Sequence, residues 1–155
     1  MSKQTKAHKL AADVAVADLL TGASGHVQKE NPSGGQLYRI GDLAEEFDLT
    51  LRALRFYEGK GLLNPRRAGV TRLYDYNDHT RLRLILFGRR IGFTLSEMGQ
   101  LISVWENGAG DSAEIGKLRK RFKEKLVELE KKKDEVDRSV DELRAILARM
   151  GKAPR

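Results

Sequence analysis

The chain of 155 residues has no cysteine, which removes disulfides, iron-sulfur clusters, thiolate metal sites and thiol nucleophiles together. Histidine is scarce too: His8, His26 and His79 lie far apart, without metal-ligand spacing. Asp75, Asp78 and His79 could meet at a helix start, where capping is the plainer role. No window of 18 or more residues is mainly apolar and free of charge, and the early apolar stretch carries Asp13 and Asp18. Neither a membrane span nor a signal peptide fits, and the cytoplasm is the expected compartment. The ordered segments hold no paired carboxylates, no nucleophile with a base and no metal cluster, so an enzyme is the least favoured class. No cofactor and no metal site are expected.

What is present is charge: 29 Lys and Arg against 22 Asp and Glu, a net of +7. Such a balance favours a polyanionic partner, nucleic acid before a membrane surface. Its placement is uneven. Residues 37–51 set Arg39 against Asp42, Glu45, Glu46 and Asp48, whereas residues 52–90 hold ten Lys or Arg against Glu58, Asp75 and Asp78.

Residues 1–36 mix Ala, Ser, Gly, Lys and Gln without a sustained period and are expected to form a flexible arm, with Lys9 to Leu20 as a marginal helix. From Tyr38 the pattern tightens. Ile40, Leu43, Ala44 and Phe47 recur at helical spacing, Asp48-Leu49-Thr50 breaks the run, and Thr50 is placed to cap a second helix from Leu51 to about Lys60, stopped by Gly61. The basic stretch Arg66 to Tyr74, with Gly69 at its tip, reads as a hairpin wing. Asn77-Asp78 is placed to cap a third helix, and Phe93-Thr94 to start a fourth with Trp105 as a packing residue near its end. Asn107-Gly108-Ala109-Gly110 reads as a linker.

A long charged helix follows, about Ser112 to Met150. Its stripe Leu118, Phe122, Leu126, Leu129, Lys133, Val136, Val140, Leu143, Leu147 advances in steps of four and three, a heptad seam that needs a partner helix. The fold expected is therefore mainly α: residues 37–107 as a winged helix-turn-helix, 112–150 as a dimerisation helix, 151–155 as a tail.

The DNA-facing set is Thr50, Arg52, Arg55, Tyr57, Arg66, Arg67, Thr71, Arg72 and Tyr74. Arg52 and Arg55 share a face that differs from the Leu54 face, as a helix entering a major groove requires. The wing offers cations and hydroxyls suited to phosphate oxygens.

Ile40-Gly41-Asp42-Leu43-Ala44, Arg52-Ala53-Leu54-Arg55-Phe56-Tyr57-Glu58, Gly61-Leu62-Leu63, Arg72-Leu73-Tyr74 and Ile91-Gly92-Phe93-Thr94-Leu95-Ser96-Glu97 together resemble the MerR family of bacterial transcription regulators. Glu46 to Thr50 and Leu82 to Leu86 resemble most the LiuR-type subgroup, regulators of branched-chain amino acid and acyl-CoA catabolism. The resemblance implies a homodimer joined by antiparallel pairing of the last helix, bound to double-stranded promoter DNA with an overlong spacer. It also implies that the activating form distorts the spacer so that the promoter elements face RNA polymerase. By position it assigns Arg52 and Arg55 to base and phosphate, Tyr57 to phosphate, and Arg66 or Arg67, Arg72 and Tyr74 to the wing contacts. Asp48 replaces a glycine common in the family's turn, and it tolerates a left-handed conformation better than most residues. No inducer site is visible in the sequence, which carries no sensor cysteines, and the effector stays open. Two rivals remain: an architectural DNA binder without a dedicated operator, and a coiled-coil adaptor that binds a protein.

Overall fold

The computed structural model describes residues 16–20, 35–107 and 112–152. It divides into two compact units, Met1–Ile115 and Gly116–Arg155. The described part of the first unit runs β1 (Tyr38–Arg39), α1 (Ile40–Glu46), α2 (Leu51–Gly59), β2 (Arg66–Ala68), β3 (Thr71–Tyr74), α3 (Tyr76–Ile91) and α4 (Leu95–Asn107); α5 (Ser112–Met150) makes up most of the second. The protein is mainly helical. Residues 16–20 are helical, within the expected Lys9 to Leu20, while 1–15, 21–34 and the expected linker glycines Gly108 and Gly110 fall outside the described residues.

Three of these helices end on the same backbone device. After α1 the Asp48 and Leu49 N–H groups donate to the Glu45 and Ala44 carbonyls at 3.3 and 2.8 Å; after α2 Gly61 and Leu62 donate to Glu58 and Tyr57; after α3 Gly92 and Phe93 donate to Arg89 and Gly88. Each is a Schellman stop, which needs a left-handed residue. Asp48 (φ 53°), Gly61 (φ 74°) and Gly92 (φ 82°) supply it. Asp48 does so without glycine, as expected.

The starts are capped by side chains. Thr50 Oγ1 accepts from Ala53 N at 3.1 Å, and Thr94 and Glu97 bond reciprocally at the head of α4. The α3 cap differs from expectation. Asp75, not Asn77-Asp78, is the N-cap, and Asp78 is the third residue of a capping box. The reason is long-range: Asp78 also accepts from Asn64 N at 2.9 Å, so it ties the loop after α2 to α3.

The core of this unit lies among Leu43, Leu54, Leu63, Tyr74, Leu82, Ile85 and Leu101, all fully buried or nearly so. Helices α3 and α4 meet at Gly88, where an added Cβ would stand 2.9 Å from Met98 Cγ and 3.3 Å from Leu101 Cδ1. Gly88→Leu should lower stability by about 1–3 kcal/mol through overpacking, read as a drop in melting temperature. An unchanged melting temperature would mean that the two helices separate more easily than their packing implies.

Asp78 is almost fully buried, and burial pushes its carboxyl up from the ordinary value, against the lowering effect of the Asn64 N–H. A carboxyl whose pKa is raised by folding contributes stability that is fully present below its unfolded-state pKa and is lost as pH rises through the raised value. Asp78→Asn should therefore flatten the decline of melting temperature with rising pH above the usual carboxylate range. An equal decline in wild type and variant would assign it to another group.

Candidate nucleic-acid interface

Arg52 and Arg55 are exposed on α2, while Leu54 and Tyr57 on the opposite side are buried. The α1–α2 turn fixes this division. Its Schellman stop and the Thr50 cap orient α2 so that the Leu54 side is buried in the core and the arginines face outward. The exposed wing arginines, Arg66 and Arg67, lie on β2, which pairs antiparallel with β3 in the register Arg66↔Leu73, Arg67↔Arg72 and Ala68↔Thr71. Gly69 (φ 64°) turns the two-residue loop, which leaves Val70 at the tip 94% exposed.

A strand that the sequence pattern does not predict completes the sheet. β1 pairs with β3 through Tyr38↔Tyr74 and Arg39↔Leu73, giving the order β1-β3-β2. Two residues give a periodicity argument almost nothing to work on.

The pairing of Arg67 opposite Arg72 sets like charges across the strands, which is unfavourable alone. Glu58 answers it: Arg72 Nε donates to Glu58 Oε2 at 2.7 Å, both side chains about three-quarters buried. The bond also ties the wing to the C-terminal end of α2.

Thr50, Arg52, Arg55, Arg66, Arg67 and Thr71 are exposed, and the Thr50 hydroxyl is engaged as the cap of α2. Three members of the expected set, Tyr57, Arg72 and Tyr74, are placed otherwise. Tyr74 is fully buried, and its hydroxyl has no hydrogen-bond partner among the described residues. The period of two puts Arg72 and Tyr74 on one face of β3, the face on which Arg72 bonds to Glu58, so Tyr74 is a core residue and Arg72 an anchor of the wing. Burial pushes the Tyr74 phenol up, and the Glu58 carboxylate adds to it. Tyr57 is only 5% exposed because it sits three residues after Leu54, on the same side of α2.

Two neighbours carry roles that no sequence motif assigns. Glu58 could not be linked to Arg72 by any local pattern, since they are 14 residues apart. Phe56, 48% exposed, stands four residues after Arg52, a spacing that already places it on the outward face.

At the start of α3, His79 Nε2 lies 2.7 Å from Glu46 Oε1, and its ring packs on Tyr38 and Phe47. Arg81 donates to Asp78 Oδ1 and, through Nε and Nη2, to Glu106 Oε1, joining α3 to α4. Trp105 is buried, as a packing residue would be. Among the described residues there is no helix long and apolar enough to cross a membrane, and no group of His, Cys, Asp and Glu that could hold a metal ion.

Taken by itself, α5 carries an open apolar stripe. Leu126, Leu129, Val136, Val140, Leu143 and Leu147 are all exposed, by 37% to 65%. Leu118 and Phe122, also expected in the seam, precede these along the helix. Lys133 on the seam pairs with Asp137 of its own helix at 3.0 Å.

Residues 38–104 match the MerR HTH family of regulatory proteins, and residues 79–146 match the MerR DNA-binding family. The HTH-type transcriptional regulator CueR of Salmonella typhimurium is 35% identical over 109 residues, 69% of this chain and 77% of the relative. ZntR of Escherichia coli, also an HTH-type transcriptional regulator, is 36% identical over 70 residues, 44% of this chain and 50% of its own. Among solved structures, HiNmlR, a MerR family regulator lacking the sensor domain and bound to promoter DNA, superposes with a TM-score of 0.63 at 25% identity, over 76% of this chain and 89% of its own. A transcription regulator of Ralstonia metallidurans in complex with lead(II) gives 0.51 at 29% identity, over 70% and 86%.

Proposed function

Because the chain belongs to the MerR family of DNA-binding transcription regulators, which are not enzymes, we propose that it acts as a homodimer on a promoter pseudo-palindrome, distorting the DNA between two half-sites. The observation that carries this is the outward pair Arg52 and Arg55 on a capped helix, beside a basic wing. The open stripe of α5 supports self-pairing, since a helix this long with one narrow apolar band is stable only when the band is covered. The promoter-bound relative of similar fold supports promoter DNA as the target. In this reading α2 of each protomer enters a major groove, and the wings lie on the flanking phosphates. RNA polymerase acts on the distorted promoter, and the genes controlled belong to branched-chain amino acid or acyl-CoA catabolism, as the LiuR-like segments suggest. The cytoplasm is its place of action.

Genome-wide mapping of bound sites tests this. Occupied pseudo-palindromes inside promoter spacers, next to genes of that catabolism, are the expected result. Dispersed occupancy that random duplex displaces readily would favour the architectural reading instead.

The wing makes a finer prediction. Arg66 and Arg67 have no ion pair among the described residues, whereas Arg72 is matched by Glu58. Arg66→Ala or Arg67→Ala should weaken binding to all sequences and lower the salt slope by about one. Arg72→Ala should change the slope less. Affinity titrated over salt concentration decides it, and an equal loss of slope in all three would mean that Arg72 leaves Glu58 for phosphate.

A further inference from the structure

The arginines account for only part of the outward face of α2. At about 100° per residue, Arg52 and Gly59 point straight away from the Leu54–Tyr57 side, and Arg55 and Phe56 flank them on either hand. Leu51, also exposed, lies about a quarter-turn off this face. Phe56 is 48% exposed although the core beneath α2 is closed by Leu54 and Tyr57. Its ring meets Tyr57 edge-on, and the Lys60 ammonium lies 5.5 Å from its centre. Gly59, three residues on, has no side chain to shield the ring.

A lone exposed aromatic is common on protein surfaces. Phe56 is not alone: it shares one short face with two guanidinium groups that need base edges or phosphates. In the major groove arginine reads guanine through O6 and N7, and thymine offers its 5-methyl group to apolar side chains such as phenylalanine. A face with two cations and one aromatic ring is thus suited to a half-site in which a thymine lies near the base pair or phosphate met by an arginine.

We infer that Phe56 is a specificity-determining residue whose ring packs on the 5-methyl group of one thymine in each half-site. The inference rests on α2 being the recognition helix. Arg52 and Arg55 set the register on the duplex, and the Phe56 ring adds discrimination against base pairs that lack the methyl group.

The test uses the full chain and a duplex that it selects from a random pool. Each thymine of the half-site is replaced in turn by deoxyuridine, which removes the methyl group and keeps the pairing. At one position wild-type affinity should fall about fourfold, the worth of burying one methyl-sized group. Phe56→Ala should bind the thymine duplex more weakly and make no distinction at that position, and Phe56→Leu should keep part of it. Melting temperatures close to wild type would show that both variants are folded, as expected for a half-exposed side chain. Wild type indifferent to every uracil, or Phe56→Ala as sensitive as wild type, would overturn the inference and leave the recognition helix in place. Failure to select any sequence would overturn both.

Discussion

Leu129→Asp combined with Leu143→Asp should turn the protein into a monomer and lower its affinity for a duplex with two half-sites by about 10²–10⁴-fold. Both leucines lie on the open stripe of α5, 38% and 60% exposed in the single chain. In a paired helix they would be covered, and an aspartate there would have to lose water without a partner. The loss in affinity arises because a dimer binds its second half-site at the high effective concentration set by the first contact, and a monomer does not. Sedimentation and a binding titration on the same sample measure both effects. A variant that stays dimeric would move the pairing surface off this stripe. A monomer with full affinity would remove the need for two half-sites.

Arg55→Ala should weaken specific binding by about 1–3 kcal/mol at each half-site while leaving binding to random duplex much less affected. Arg55 is exposed on the side of α2 away from Leu54, so its removal opens no cavity. The melting temperature should stay within the range of ordinary surface substitutions, about 0.5 kcal/mol or less. A ratio of specific to random affinity equal to that of wild type would assign Arg55 to phosphate and leave base reading to Arg52. Because both half-sites carry the change, the effect on the dimer should be about twice that on a single half-site.

The sequence showed the α1–α2 turn in some detail. The hydroxyl that caps α2 and the amide it accepts are three residues apart, from Thr50 to Ala53. The left-handed stops at Asp48, Gly61 and Gly92 bond to carbonyls no more than five residues back. The bounds of α5 were legible for a related reason: a seam in steps of three and four extends over many turns. By contrast, the partners that place the wing and fix the head of α3 lie far apart along the chain. Arg72 and Glu58 are 14 residues apart, Asn64 and Asp78 also 14, Arg81 and Glu106 25, and His79 and Glu46 33. That distance explains the α3 cap at Asp75 and the engagement of Arg72 by Glu58, whereas β1 is too short to show a period.

Sequence alone therefore determined the α1–α2 turn, the Thr50 cap, the outward arginines and the long seam, because each is a contact or a period within one or two helical turns, where backbone geometry leaves few choices. Tertiary structure decided which wing residues face out. Packing in the tertiary fold buries Tyr74 and engages Arg72 with Glu58 on one face of β3, while Arg66 and Arg67 on β2 remain exposed.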